Sequence, residues 1–414
     1  MLSHERYAAS GELLMGPAMQ HWTIPTGYRF AGVVSGLRTE PNRRDLALIA
    51  SDRPAACAGI FTQNRVAAAP VQVCRERLPR TDARGVVICS GNANACTGEQ
   101  GLADARRMAE VAAKSVGCSP EQMLVASTGV IGRPLPMPVL EKGIPAAAAK
   151  LEYSTAALSD VAYAILTTDT VTKASVRSFT AGGRQIHVLG VAKGAAMIGP
   201  NMATMLAFVV SDAAVPPSDL HAILRRAGEK SFNRISVEGH ASTNDTVLLF
   251  ANGDGAPLAG VDLAEYEAAV TVVCTDLAKA IVRDAEGAKH FVAIEIEGTR
   301  DEAEAVRIAK TIAESALVKT AIYGADPNWG RFVSAAGYAG VAFEERQLSL
   351  WLGDVPLYRD GAPLPFDAVA ASAYLKNNRD VALRLRFALG SGRCTFWTCD
   401  LTPEYVRLNA DYTT

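Results

Sequence analysis

The strongest constraint on the fold is a repeated alternation of strand-like and helix-like segments along the chain. A run rich in β-branched residues (85–90, GVVICS) precedes a segment whose apolar residues have helical spacing (102–116). The second half repeats this order, with a long helical pattern at 262–283 and strand-like runs that include 318–323 and 348–357. Helices that separate strands predict a layered α/β (or α+β) fold. Alternating leucines in 348–357 also predict some antiparallel pairing.

Composition supports a large ordered core and excludes several classes of protein. The chain has 414 residues, of which 49% are hydrophobic and 20% charged, and its formal net charge is −2. This balance gives no electrostatic reason to expect a nucleic acid or a membrane surface as partner. Residues 1–16 lack the apolar stretch of a signal peptide, and no segment approaches the ~18 apolar residues of a membrane span. The eight cysteines include no Cys-x-x-Cys pair, which indicates reduced thiols in a cytoplasmic protein.

Several common catalytic motifs are absent from the sequence. It contains no Gly-x-x-x-x-Gly-Lys-Ser/Thr phosphate loop, no His-Glu-x-x-His metal motif and no Gly-x-Ser-x-Gly nucleophile turn. Its six histidines are widely spaced, so we expect no metal site. Thr, Gly, Ala and Asn are instead dense at the predicted strand ends. If the protein is an enzyme, this pattern favours a hydroxyl nucleophile surrounded by backbone donors.

The segment 191–212 (VAKGAAMIGPNMATMLAFVVSD) carries the most specific chemical signal. In it, Thr204 follows the small residue Ala203 and opens an apolar strand. A threonine hydroxyl is a weak nucleophile unless a base lies beside it. Cleavage of the Ala203–Thr204 bond would give Thr204 a free α-amine with a pKa of ~7.7–8.0, which suits a general base near neutral pH. From the residues alone, the alternative is that Thr204 simply begins a strand as a β-forming residue.

Motifs spread in order over nearly the whole chain resemble those of one enzyme family. Besides residues 191–212, they are the segments 27–37 (GYRFAGVVSGL), 90–98 (SGNANACTG), 127–132 (STGVIG), 167–170 (TTDT), 242–246 (STNDT), 324–331 (GADPNWGR), 399–402 (CDLT) and 405–414. The combination resembles the ornithine acetyltransferase family, also called glutamate N-acetyltransferases, of arginine biosynthesis. The resemblance implies a layered sheet-and-helix architecture of the N-terminal-nucleophile type.

The resemblance also implies a processing event and an activity. The chain would cleave itself after Ala203 into chains 1–203 and 204–414, which form one intertwined catalytic unit and, in two copies each, a heterotetramer. Thr204 would accept acetyl from N2-acetyl-L-ornithine, release ornithine and pass the acetyl group to L-glutamate. No metal or organic cofactor is implied, and the use of acetyl-CoA as a second acetyl donor stays open. The alternatives are hydrolysis by a related amidase or aminopeptidase, and an uncleaved structural relative.

The same resemblance implies roles for individual residues. Thr128 and Gly129 match the oxyanion hole, where a threonine hydroxyl and a glycine N–H stabilise developing negative charge. The positions that match substrate-binding residues are Thr167, Lys193, Thr204, Glu286, Asn409 and Thr414. Lys193 lies among small and apolar residues, so we expect it to face a cavity and an anion, against the plainer interpretation of a surface lysine. Glu286 can pair with a substrate ammonium or be an ordinary solvated carboxylate, and the two tail residues need a tail that folds back over the site.

Three departures from the family pattern lie near these positions. Ala196 stands where the family usually has glycine, residues 238–241 (EGHA) replace Asp-Gly-Asp-Thr, and residues 289–290 (KH) replace Thr-Lys. Ala196 would matter if its φ angle were positive. We expect Asn244 and Asp245, which precede an apolar strand, to organise the interior rather than contact substrate.

Overall fold

A computed structural model of the protein describes residues 22–199 and 205–411, in which the chain forms fifteen strands and eleven α-helices. The strands are β1 (Tyr28–Val33), β2 (Leu46–Phe61), β3 (Arg80–Asn92), β4 (Met123–Val130), β5 (Lys173–Ala181), β6 (Arg184–Lys193), β7 (Leu206–Ser211), β8 (Ile235–Ser236), β9 (Thr246–Ala251), β10 (Phe291–Thr299), β11 (Leu348–Leu352), β12 (Val355–Arg359), β13 (Ala362–Pro363), β14 (Asp380–Phe387) and β15 (Gly392–Cys399). The helices are α1 (Ala69–Arg77), α2 (Gly98–Val116), α3 (Met137–Ala148), α4 (Thr155–Ala164), α5 (Pro217–Lys230), α6 (Gly260–Arg283), α7 (Glu302–Glu314), α8 (Ala316–Tyr323), α9 (Trp329–Gly337), α10 (Ala368–Asn377) and α11 (Pro403–Asp411). None of the helices in these ranges has both the length and the apolar character needed to cross a membrane.

Two mixed sheets contain the strands. The first has the order β4-β3-β2-β9-β7-β6-β5 with β1 paired to β2, and the second has the order β13-β12-β11-β14-β10-β15-β8. In the first sheet β7 runs parallel to β9 and antiparallel to β6, and in the second β10 runs parallel to β14 and antiparallel to β15. Strands β7 and β9, which follow residue 205, lie between β2 and β6, which precede residue 199. The two halves of the chain therefore share one sheet.

Helices cover the sheets in layers. Along β7, Phe208 and Val210 join a core shared with α1 to α4, while Ala207 and Val209 join a second core shared with α5 and α6. Both faces of this strand are therefore buried, as expected for a continuous apolar run at the centre of a sheet. The second core also includes Phe291 of the second sheet. The opposite face of the second sheet packs with α7 to α10. The predicted layered α/β fold is confirmed.

Two predicted elements differ from the structure. Residues 318–323 form the helix α8 and not a strand: the Ser315 side chain accepts from the N–H of Val318 and caps the helix. Its buried residues fall at 318, 319, 321 and 322, a spacing that only a helix can place on one face. Residues 348–357 form two strands, β11 and β12, because the chain turns at Gly353, whose φ is +58°.

Candidate active site

Predicted site residues from distant parts of the chain meet in one pocket at an end of the first sheet. Six of them line it: Thr128, Gly129, Thr167, Lys193, Glu286 and Asn409. They come from the ends of β4 and β6, the loop after α4, the turn after α6, and α11. The other lining residues are Ala93, Ile131, Thr168, Ala196, Met197, Ser242, Thr243 and Asn244. The fold therefore brings together residues that lie as far apart in the sequence as Thr128 and Asn409.

Three predicted residues, Ala203, Thr204 and Thr414, lie outside the described residues, so their roles stay predictions. The chain resumes at Met205, directly after Thr204. The backbone N–H of Met205 donates to Asp245 Oδ1 at 3.1 Å. The next residue, Leu206, is in register with Lys193 across β7 and β6. The chain thus re-enters the described fold beside the cation of the pocket.

The end of β4 is held close to β3. Gly129 has φ +133°, and a Cβ at this position would lie 2.3 Å from the carbonyl carbon of Gly91, so a larger residue does not fit. The side-chain amide of Asn244 donates to the carbonyl oxygens of Ser127 at 2.8 Å and Ala93 at 2.6 Å. Asn244 therefore organises this strand end. It also lines the pocket, so the expectation that it does not contact substrate stays a prediction.

Lys193 is a buried cation whose side chain has few partners among the residues that the structure describes. The residue is 2% exposed, which is not the surface position of the plainer interpretation. Nζ donates to Thr128 Oγ1 at 3.5 Å, the outer limit of a hydrogen bond, and lies 3.9 Å from Asp169 Oδ2. Burial lowers the pKa of Lys193, although Asp169 acts in the opposite direction. An ammonium has three N–H donors, so this one can still bind an anion that enters the pocket.

Next to this cation lies a buried ion-pair network that the sequence analysis did not identify. Lys173 Nζ lies 2.7 Å from Asp169 Oδ1 and 2.6 Å from Asp284 Oδ2. Asp169 also accepts from the backbone N–H groups of Thr167 at 3.0 Å and Gly194 at 2.6 Å. Burial alone would raise the pKa of Asp169, but the two neighbouring lysines outweigh burial and hold the pKa well below its usual range. The network joins the loop after α4, the end of β6 and the end of α6.

The C-terminal helix α11 folds back over the pocket. Asn409 Nδ2 donates to Glu286 Oε2 at 2.9 Å. The backbone N–H of Glu286 in turn donates to the carbonyl of Ala195 at 2.9 Å. Glu286 is half-buried rather than fully solvated. Up to residue 411 the tail therefore has the course that the predicted role of Asn409 requires, while the role itself stays a prediction.

Two further carboxyl groups lie beside the chain that enters and leaves residues 200–204. Asp245 holds the N–H of Met205, and burial raises the pKa of Asp245 well above its usual range. Glu238 is adjacent to Ile198, whose carbonyl accepts the N–H groups of residues 237–239. Neither carboxyl oxygen of Glu238 makes a hydrogen bond of normal length with a described residue, and burial raises its pKa to about 7. A buried carboxyl group therefore lies at the segment that leads to the predicted nucleophile. The usual residue at position 238 is Asp, so this departure keeps the carboxyl and lengthens the side chain by one methylene.

Comparison with known proteins decides the family. A family model described as the ArgJ family matches residues 29–414. The chain belongs to the ArgJ family. It is 47% identical over 406 residues to the arginine biosynthesis bifunctional protein ArgJ 1 of a Nostoc species, with 95% of this chain and 97% of that protein covered. It is 44% identical over 403 residues to the arginine biosynthesis bifunctional protein ArgJ of Rhodopirellula baltica, with 96% of this chain and 98% of that protein covered.

A solved structure, that of the arginine biosynthesis bifunctional protein argJ from Bacillus halodurans, is 39% identical and matches with a TM-score of 0.48. The match covers 50% of this chain and 98% of that chain. The family resemblance that the motifs indicate is confirmed by the family model and the two relatives.

The two other departures from the usual ArgJ pattern have different surroundings. Ala196 lines the pocket, but its φ is not positive; the left-handed residue in this turn is its neighbour Met197, with φ +59°. The backbone N–H groups of Lys289 and His290 donate to Asp400 Oδ1 at 2.9 and 3.1 Å. His290 Nδ1 lies 2.7 Å from Asp400 Oδ2, a hydrogen bond that raises the pKa of His290. This pair therefore anchors the start of β10.

The described residues contain no group of three or more His, Cys, Asp or Glu side chains that could hold a metal ion. All eight cysteines are free thiols. Burial raises the pKa of Cys89 and of Cys274 to about 12, so both are protonated at neutral pH.

Proposed function

We propose that this chain transfers acetyl from N2-acetyl-L-ornithine to L-glutamate through an acetyl ester on Thr204, giving ornithine and N-acetylglutamate. One observation carries the proposal: six residues that match the family's oxyanion and substrate positions, although far apart in sequence, line a single pocket. The names of the relatives, which place them in arginine biosynthesis, support the same activity. The pocket also combines Lys193 with Glu286, which suits a substrate that carries both a carboxylate and an ammonium.

The first half-reaction of this proposal is attack of Thr204 Oγ on the acetyl carbonyl of acetylornithine. The α-amine of Thr204, freed by cleavage after Ala203, takes the hydroxyl proton. The C–N bond then breaks, and ornithine leaves with the proton on its amine. In the second half-reaction the amine of glutamate attacks the ester, takes the acetyl group and restores the Thr204 hydroxyl. One amide is exchanged for a similar amide, so the scheme needs no ATP, metal or organic cofactor.

Thr128 and Gly129 would stabilise the negative charge that develops on the acetyl oxygen. Lys193 donates to Thr128 Oγ1, so the hydroxyl hydrogen of Thr128 is free to point at the oxyanion. The backbone N–H of Gly129 is the second donor in this scheme. Loss of one such donor costs roughly 10²–10³-fold in rate.

The remaining pocket residues would hold the substrate. Lys193 can bind the carboxylate that both amino acids carry, because its ammonium is buried and weakly partnered. Glu286 can bind the side-chain ammonium of ornithine, and Asn409 fixes the position of its carboxylate. The N–H of Thr167 is committed to Asp169, which holds this residue at the pocket wall. Thr414 completes the set as a prediction from the family motif.

We also propose that chains 1–203 and 204–414 stay associated after cleavage and that two such pairs form a heterotetramer. The shared first sheet supports the association, because β7 and β9 pair with strands from the other side of the cleavage point. The word "bifunctional" in the names of the relatives is consistent with acetyl-CoA as a second acetyl donor. We propose the cytoplasm as the compartment, in line with eight free thiols.

Mass spectrometry of the protein after rapid quenching tests the covalent route. Incubation with acetylornithine alone should make the fragment that begins Thr-Met-Leu-Ala-Phe heavier by one acetyl group. Addition of glutamate should remove this mass and yield N-acetylglutamate. The control Thr204→Ala should remain a single full-length chain. An unmodified fragment together with intersecting double-reciprocal plots would overturn the covalent route, and acetate in excess of N-acetylglutamate would indicate an amidase instead.

A further inference from the structure

The second sheet contains a cavity that the proposed acetyl transfer does not use. One face of this sheet packs against the core that includes α6, through residues such as Phe291 on β10 and Trp397 on β15. Further along the same two strands and on the same face, Glu297 and Arg393 line an open cavity of about 740 Å³. The cavity therefore lies where the helix layer no longer covers the sheet.

Three arginines surround this cavity. The register places Glu297 opposite Arg386 on β14 and opposite Arg393 on β15. Two strand spacings separate these arginines, which is about 10 Å between their backbones. The third, Arg359, ends β12 and lines the same cavity. An arginine side chain is longer than that of glutamate, so the guanidinium groups extend beyond the Glu297 carboxylate between them.

These three guanidinium groups make no ion pair or hydrogen bond with a residue in the described ranges, although Glu297 and Asp360 line the same cavity. Two residues before Arg386 on β14, Arg384 pairs with Glu295 at 3.2 Å, so the sheet geometry permits such pairs. Glu297 lies between Arg386 and Arg393 without pairing with either, so both guanidinium groups keep N–H donors for an anion that enters the cavity. The lining carries three positive and two negative charges, so its net charge of +1 favours an anion.

The kind of anion follows from the donors. The planar guanidinium matches phosphate oxygens with two parallel hydrogen bonds, and several arginines together suit a phosphate chain. Trp351 lines the cavity and makes no ring stacking or cation–π contact with the described residues, which leaves an aromatic face for a flat ring. We propose that this cavity is a binding site for a small molecule with a diphosphate group, held by Arg359, Arg386 and Arg393. Free diphosphate and a nucleotide share this chemistry.

Isothermal titration calorimetry of the full-length protein with pyrophosphate and with ADP tests the proposal. We expect both ligands to bind, and Arg386→Ala and Arg393→Ala each to weaken binding by about tenfold or more, since each removes a charge-assisted contact. The matched control is Arg307→Ala, which removes an exposed arginine of α7 outside the cavity and should leave both affinities unchanged. Tighter binding of ADP than of pyrophosphate, with the difference lost in Trp351→Ala, identifies a nucleotide; equal binding identifies the free diphosphate.

Two results would overturn the proposal. The first is a failure of the calorimetric test, either because neither ligand gives a heat of binding at millimolar concentration or because Arg307→Ala and Arg386→Ala lose affinity equally. Equal losses would show only nonspecific attraction of the anions to positive charge. The second is self-association of the wild type that Arg386→Ala abolishes, measured by sedimentation without added anion, which would show that a second copy of the chain covers the cavity. The three arginines are exposed, so melting curves should show that the alanine variants fold. Acetyl transfer and anion binding are measured separately, so either can fail without the other.

Discussion

Replacement of Lys193 by methionine tests whether this buried cation serves the substrate or the fold. Methionine keeps much of the length of lysine and removes the charge. Among the described residues of the wild type, the closest carboxylate oxygen, Asp169 Oδ2, is 3.9 Å away, and Asp169 is already paired with Lys173. Burial also disfavours the charged form of Lys193, which is why its pKa is lowered. The fold therefore gains little from this ammonium, and the free energy of unfolding of Lys193→Met should stay near that of the wild type or rise.

The expected loss lies in the kinetics. If Lys193 holds the substrate carboxylate, the variant loses a charge-assisted hydrogen bond worth about 1.5–3 kcal/mol. This corresponds to a fall of roughly 10- to 150-fold in kcat/KM for acetylornithine. The matched control is Lys173→Met, which leaves Asp169 and Asp284 buried without their common cation. That variant should be destabilised by about 3–5 kcal/mol, because breaking a buried ion pair leaves uncompensated charges.

The assay is the initial rate of N-acetylglutamate formation on both variants, combined with thermal melting followed by circular dichroism. The reasoning predicts opposite patterns: Lys193→Met melts like the wild type and is slow, and Lys173→Met melts early. If Lys193→Met instead melts as early as Lys173→Met and its folded fraction has wild-type kcat/KM, the ammonium is a structural partner of Asp169. The substrate role of Lys193 would then be wrong.

Two other variants test the surroundings of the pocket. Glu238 has a folded-state pKa of about 7 against an ordinary value of 4.5, so the stability that its neutral form contributes is complete below pH 4.5 and is lost as pH rises through 7. Glu238→Gln should therefore melt at the same temperature as the wild type at pH 5 and at a higher temperature than the wild type at pH 8. A difference in melting temperature that does not change with pH would contradict this reasoning. Asn409→Asp places a second carboxylate where an amide now donates to Glu286 at 2.9 Å. Repulsion between the two carboxylates should displace Glu286 and lower kcat/KM at least tenfold, with little change in melting temperature. The control Asn409→Gln keeps the amide and should retain more activity.

The fold class could be predicted from sequence because strand-like and helix-like periods alternate clearly. The error at residues 318–323 has a physical origin. Val318 and Ile322 favour strands by composition, but they are four residues apart, which is the spacing of one helix face. At these residues the spacing of the apolar positions predicts the secondary structure better than the strand preference of the β-branched side chains does.

The candidate site was partly predictable for a different reason. Lys193 is the single cation in a segment of small and apolar residues, and a charge in such surroundings points to a cavity. The network behind it could not be predicted in this way. Asp284 is 111 residues from Lys173, and each residue alone has the sequence context of an ordinary polar group at an element end. Only the pairing of β5 and β6 and the course of α6 bring them together.

This network ties two loops of the candidate site to the interior of the fold. Thr167 and Glu286 lie outside strands and helices, where backbone segments are usually the most mobile. Here the Asp169 carboxylate accepts a hydrogen bond from the N–H of Thr167. Asp284, two residues before Glu286, forms an ion pair with Lys173, which also pairs with Asp169. Displacement of either loop would leave an unpaired charge in the interior, which costs free energy. The loops that carry Thr167 and Glu286 are therefore tied to a buried ion-pair network. If these residues hold a substrate as proposed, the network helps to keep their donors and acceptors in a fixed geometry.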